Sequence, residues 1–237
     1  MKQKYKIILI ILLALFVINI IVMAITNENQ PEISIVGNNS NGTVYKTICG
    51  NLSSNDTVAV ILGVHNLESG IHNATNETLM NITNNTENNN LSKKYVVYFI
   101  TLNENQTEYN TSEYTTNRHM GEMLGNEFVV PDIAQYNPFV VIDVHEMEDY
   151  WYPQEFIEVI STNSSVAESY GARISNDTNV MLYNFTSGTS PEYVTVPVAK
   201  QGLDTILFET AQADSYDDKK ATALKLIHSL DNLTVKH

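Results

Sequence analysis

The 237-residue chain contains one cysteine, Cys49. A lone thiol cannot close an intrachain disulfide, and it excludes a zinc site built from several thiolates. No motif around Cys49 marks it as a nucleophile. Basic side chains are also scarce: 13 Lys and Arg stand against 27 Asp and Glu, a net charge of −14. Nothing resembles a basic stripe, which excludes nucleic acid as a partner. Arginine is confined to Arg118 and Arg173, and there is no internal repeat.

What is present begins with Lys2, Lys4 and Lys6, followed by an apolar stretch from Ile7 to about Ile25 broken only by Asn19. That length crosses a hydrocarbon core as a helix, and lysines on its N-terminal side place the rest of the chain outside. The expected layout is a cytoplasmic segment over 1–6, one N-terminal transmembrane helix over 7–25, a polar stalk over 26–42 and a domain over 43–237. The domain then stands at the cell membrane on the extracytoplasmic side. A signal peptide cleaved near Val22-Met23-Ala24, giving a secreted protein, is the alternative. More than a dozen Asn-x-Ser/Thr triplets, Asn38, Asn51, Asn81 and Asn232 among them, fit a glycosylated exported surface.

Within the domain, apolar runs alternate with helical patterns. Thr57–Val64 (TVAVILGV), Tyr95–Leu102 (YVVYFITL) and Pro138–Val144 (PFVVIDV) are nearly unbroken, the mark of strands covered on both faces. Thr43–Ile48 reads as an edge strand, and Glu155–Ile160, Asn179–Phe185 and Thr205–Phe208 as further strands. Helices are expected over Leu67–Thr83, Thr111–Asn126, Ser164–Ile174, Pro191–Gln201 and Ser215–Leu230. The fold class is α/β: a single domain with a largely parallel or mixed central sheet flanked by helices.

Four short segments carry chemistry: His65-Asn66-Leu67-Glu68, Asn117-Arg118, Asp143-Val144-His145 and Phe208-Glu209-Thr210. His65, His145 and Glu209 each come just after an apolar run, where α/β sheets gather function. A catalytic zinc takes three protein ligands and leaves one position open. His65 and Glu68, three apart, can be aimed at one ion by a turn after a strand, and His145 would arrive from another strand. Glu209, flanked by Ile206, Leu207 and Phe208, is a candidate general base with a carboxyl raised by desolvation. His72 reads as a surface residue of the helix after Glu68. Glu146 reads as either a support for the metal site or a solvent-facing carboxylate. The aromatics of Tyr150-Trp151-Tyr152 could line a substrate rim.

The order HNLE, NR, DVH, FET resembles the zinc carboxypeptidase superfamily, including its aspartoacylase and succinylglutamate desuccinylase relatives. The resemblance implies Zn²⁺ bound by His65, Glu68 and His145. It implies a substrate carboxylate gripped by Asn117 and Arg118, and Glu209 as general base and acid. Tyr193, in Ser190-Pro191-Glu192-Tyr193, takes the place of a substrate-facing tyrosine. The implied activity is hydrolysis of a peptide or amide bond near a free carboxylate. The implied partner is a peptide or an N-acyl amino acid, the latter in an N-acyl-amino-acid amidohydrolase. Two departures stand out. The Asp-x-Asn-Arg context is replaced by Tyr114-Thr115-Thr116-Asn117, and the family's further arginine, which polarises the scissile carbonyl, is missing. The zinc ion itself, Lys93, Lys94 and His119 remain as candidate substitutes. The missing arginine leaves a catalytically degenerate, glycosylated binding module as the rival from another class.

Overall fold

Thr57–Leu62 is buried at every residue, which in a strand means cover on both faces. Val58, Val60 and Leu62 enter one apolar core, and Ala59 and Ile61 enter a second on the opposite side. This strand is the middle of the fold. In the computed structural model the described residues are 31–84, 91–103, 111–161, 164–184 and 190–236, with the side chains of 111–116 and 190–191 left aside. The expected anchor over 7–25 lies outside them. Among the described residues no helix is long and apolar enough to cross a membrane.

Eight strands form one mixed sheet: β1 (Glu32–Asn38), β2 (Gly42–Gly50), β3 (Thr57–Leu62), β4 (Lys94–Leu102), β5 (Val140–Met147), β6 (Phe156–Val159), β7 (Met181–Leu182) and β8 (Thr205–Ala211). Their spatial order is β1-β2-β4-β3-β5-β8-β6-β7. The four central strands, β4, β3, β5 and β8, run parallel, and β2 and β6 join them antiparallel. The helices are α1 (Ser69–Asn84), α2 (Thr111–Leu124), α3 (Val130–Ile133), α4 (Ser165–Thr178), α5 (Ser190–Tyr193), α6 (Thr195–Ala199) and α7 (Tyr216–Asp231). The N-termini of α4 and α7 are set by Ser164 and Ser215, whose hydroxyls accept from the N–H groups of Ala167 and Asp218.

The chain leaves β3 through α1 to reach β4 on one side, then returns through α2 and α3 to β5 on the other side of β3. Ile71 and Ala74 of α1 pack in the first core; Leu124 and Ile133, from the α2–α3 stretch, pack in the second. The two connections therefore cover opposite faces. The carboxyl ends of β3 and β5 are therefore the switch point, the place at which α/β sheets bind ligands.

Several expectations shift. Glu32–Asn38, taken as part of the stalk, is the edge strand β1, paired with β2 across a turn closed by Asn39 N–H to Gly42 O, 3.0 Å. Ile33 and Ile35 alternate with polar neighbours at strand period, a pattern obscured by the surrounding Asn and Ser. Thr43–Ile48 is consequently interior to the sheet. His145 and Glu209 lie inside β5 and β8, because both strands run on past their apolar residues. The expected helix over Pro191–Gln201 is two short ones broken at Val194. The expected strand over Asn179–Phe185 has only two residues in β form among the described ones.

Candidate metal centre

Gly63 begins the site. Its φ of +81°, with Ile100 O only 2.2 Å from where a Cβ would stand, turns the chain sharply out of β3. A 3-10 turn, Asn66–Glu68, follows and places Glu68 beside His65. Asp143 and His145 share a face of β5, two residues apart. Glu209 on β8 is in register with His145 on the neighbouring strand. On the far side, α2 comes so close to the segment just after β3 that a Cβ at Gly121 would meet Val64 O at 1.9 Å. That approach brings in Arg118 and Glu122, one turn apart on the helix.

The ligand atoms of His65, Glu68 and His145 all lie within 4.8 Å of one another, and all three residues are buried. His65 Nδ1 is 2.6 Å from Glu68 Oε1, and His145 Nδ1 is 2.8 Å from Glu68 Oε2. The two Nδ1 atoms are 3.2 Å apart. Each ring turns its other nitrogen to a carboxylate: His65 Nε2 to Glu122 at 3.3 Å, and His145 Nε2 to Asp143 at 3.0 Å. Those outer contacts place a hydrogen on each Nε2, so that once the proton shared with Glu68 is displaced each Nδ1 can offer a lone pair. Two imidazole nitrogens and a carboxylate thus meet at one spot, a donor set suited to a cation. Two nitrogens each about 2.05 Å from a tetrahedral zinc would stand about 3.3 Å apart, close to the spacing seen. The donor set fits zinc.

Electrostatics agree. Burial alone would raise the Glu68 carboxyl, but the imidazoles of His65 and His145 hold it well below the usual carboxylate range. Burial opposes charge on His145, yet Asp143 and Glu68 outweigh it and keep the ring well above the ordinary imidazole value. In the absence of an ion a proton therefore occupies the cluster, and a divalent cation would displace it. Glu209 is pushed up to about 8, chiefly by burial; His145 opposes the rise, Glu68 adds to it, and Arg118 lowers it. Its Oε2 is buried with no hydrogen-bond partner among the described residues, an arrangement costly enough to demand a reason.

Arg118 Nη1 is 3.2 Å from Glu68 Oε1, and its Nε is 3.8 Å from Glu122 Oε1. Asn117, beside it, is buried. Tyr193 is half-buried and sets its ring edge-on against His119, 5.3 Å between centroids. Lys93 and Lys94 are not near this mouth. They sit where β4 begins, at the opposite end of the parallel strands, with Lys93 paired to Asp56 at 2.9 Å. They are thereby removed as stand-ins for the missing arginine. His119 does border the group, 3.5 Å from Glu122.

His72 is buried, not a surface residue; its Nε2 donates to Val144 O at 2.8 Å, and burial pushes it down to about 4. Glu146 is buried too, paired with Lys219 at 2.9 Å and accepting the Ile71 N–H. Sequence reasoning missed Glu122, Thr195 and Lys219. Thr195 Oγ1 donates to Asp143 Oδ2 at 2.8 Å, steadying the carboxylate behind His145. Only Glu122 had a signal, its four-residue spacing from Arg118 on a helix.

No family model and no curated protein matches the chain. Solved structures do. A metallo-carboxypeptidase from Burkholderia cenocepacia superposes with a TM-score of 0.57 at 11% identity, covering 88% of this chain and 65% of its own. A metallo-carboxypeptidase from Pseudomonas aeruginosa, in complex with (2-guanidinoethylmercapto)succinic acid, gives 0.56 at 13%, covering 80% and 60%. The product-bound cell shape determinant protein Csd4 from Helicobacter pylori gives 0.50 at 13%, covering 85% and 54%. The chain thus spans less than two thirds of the length of each. At such identities the fold is what is shared. The chain has the metallo-carboxypeptidase fold, and the resemblance carried by the four motifs holds at that level.

Proposed function

We propose that this protein is a zinc-dependent hydrolase of peptide or amide bonds. The observation that carries the reading is the convergence of His65, Glu68 and His145 beside a buried Glu209 whose Oε2 lacks a partner among the described residues. His65, Glu68 and His145 would hold the ion, with Glu122 and Asp143 orienting the two rings. When bound, zinc supplies positive charge that polarises a carbonyl and lowers the pKa of water.

Glu209 takes a proton from the attacking water. The water oxygen bonds to the carbonyl carbon, and the carbon–nitrogen bond breaks. Glu209 passes the proton to the leaving amine, giving a carboxylic acid and an amine. Arg118 holds a substrate oxygen, and Asn117 and Tyr193 are assigned to substrate contact. An N-acyl-amino-acid amidohydrolase would use the same groups on a smaller substrate. The reading also puts the domain outside the membrane, on the ground of Lys2, Lys4 and Lys6 before the apolar stretch.

The test is Glu209→Gln in the zinc-loaded protein. Hydrolysis should fall by about 10²–10⁴-fold, the usual worth of a positioned general base, while zinc content stays unchanged. Retained activity in that variant contradicts the reading. A non-catalytic module is the second reading, favoured by the removal of Lys93 and Lys94 from the site. Full zinc occupancy in the unsubstituted protein with no turnover of any amide would establish it instead.

A further inference from the structure

The chain has two arginines. Arg173 is spent on α4, its Nε 2.7 Å from Asp177 on an exposed face. One guanidinium therefore serves the candidate site. Resting on the hydrolase reading above, we propose that Arg118 holds the oxygen of the scissile carbonyl rather than a terminal carboxylate, so that the site accepts amides whose C-terminal side is blocked or continues.

The position of Arg118 comes first. Its Nη1 lies 3.2 Å from Glu68 Oε1, an oxygen that is itself 2.6 Å from His65 Nδ1. The guanidinium thus stands at the rim of the donor cluster. Glu122 backs it at 3.8 Å, and Glu122 in turn holds His65. Glu209 is in register with His145 on the neighbouring strand, and His145 Nδ1 is 2.8 Å from Glu68 Oε2. Arg118 and Glu209 therefore both border the donor set, where the reacting carbonyl must lie. A terminal carboxylate would sit one residue on, up to about 3.5 Å further along an extended chain.

Charge comes second. Arg118 already faces two carboxylates, Glu68 and Glu122. Asp143 lies just behind His145, and Glu209 across from it. A guanidinium so neutralised has little net attraction left for another full negative charge. It still carries five N–H donors in a fixed fork. Those serve a neutral carbonyl well and serve better as negative charge develops on its oxygen.

The experiment uses the zinc-loaded protein and two randomised N-acyl peptide libraries, one with free C-terminal carboxylates and one amidated throughout. Cleavage is read by mass spectrometry, and rates are then measured on matched acid and amide pairs. The two members of a pair should differ in kcat/KM by no more than about tenfold, whereas a site built around a carboxylate rejects the analogue lacking it by orders of magnitude. Arg118→Ala should lower kcat on both members by about 10²–10³-fold, the worth of an oxyanion donor, with KM little moved.

Cleavage restricted to free carboxylates overturns the Arg118 assignment and leaves the hydrolase standing. A rise in KM for the acids alone in Arg118→Ala, with kcat kept, does the same. Absence of cleavage in both libraries overturns the hydrolase reading and this inference with it. The unsubstituted protein alone decides the acid–amide comparison, so an Arg118 variant that fails to fold does not remove the test.

Discussion

Glu122 shows how much one side chain off the motif can carry. It accepts from His65 Nε2, backs Arg118 and lies against His119. Burial alone would raise its carboxyl, but hydrogen bonding to His65 and the charges of His65 and Arg118 hold it low. Glu122→Ala should weaken zinc binding by about 10–100-fold, as loss of an outer-shell partner does, measured by competition with a chelator. Glu209 gives a prediction of the opposite kind. Its folded pKa, about 8, lies above the ordinary 4.5. A raised pKa stabilises the fold fully below the unfolded value, and that contribution is lost as pH rises through the folded one. Glu209→Gln should therefore make the metal-free protein more stable at pH 8, by at least about 1 kcal/mol, and flatten the decline in stability between pH 4.5 and 8. Chemical denaturation at several pH values reads both. The grouping of His65, Glu68, His145 and Glu209 was legible because the proposed metal and acid–base chemistry restricts residue type and the chain order was recognisable. Glu122 and Thr195 were not, since an outer carboxylate or hydroxyl can come from any element that packs nearby.

At the scale of elements, the site depends on two approaches. Helix α2 rests on the segment that follows β3 through Gly121, with no room for a side chain against Val64 O. Gly121→Ala should cost about 1–3 kcal/mol by overpacking and displace Arg118 and Glu122 together, so stability and zinc affinity should fall in the same variant. Helix α7 is tied in by Lys219, which donates to Gln212 O at 2.8 Å and pairs with Glu146, while Glu146 accepts from Ile71 at the start of α1. Lys219→Met leaves a buried carboxylate unpaired and should cost about 3–5 kcal/mol in urea unfolding. Adding Glu146→Gln should recover part of that loss. The strands were read well where burial makes unbroken apolar runs, as in β3 and β4. They were read short in β5 and β8, because the functional residues themselves interrupt the apolar pattern. The edge strand β1 escaped because its hydrophobic side is open: Ile33 and Ile35 are 71% and 57% exposed.

For the whole molecule, an acidic chain gathers Glu68, Glu122, Asp143 and Glu209 around two imidazoles and one guanidinium. Such a concentration of buried carboxylates is tolerable when a divalent cation sits among them. The fold supplies the convergence, since two crossovers on opposite faces make the carboxyl ends of the paired strands β3 and β5 the switch point of the sheet. The alternation of apolar runs and helical segments told the α/β class. A mixed sheet was among the expectations; the spatial order of its strands was beyond that alternation, because pairing between β2 and β4 or between β6 and β8 leaves no mark on either strand alone.

The most direct test is the metal content and location in crystals of the purified protein, by elemental analysis and anomalous diffraction at the zinc edge. The expected result is one zinc per chain, held by His65, Glu68 and His145 and lost together in His65→Ala. Crystals grown with excess zinc that hold no ion between these three side chains would contradict the account at its root.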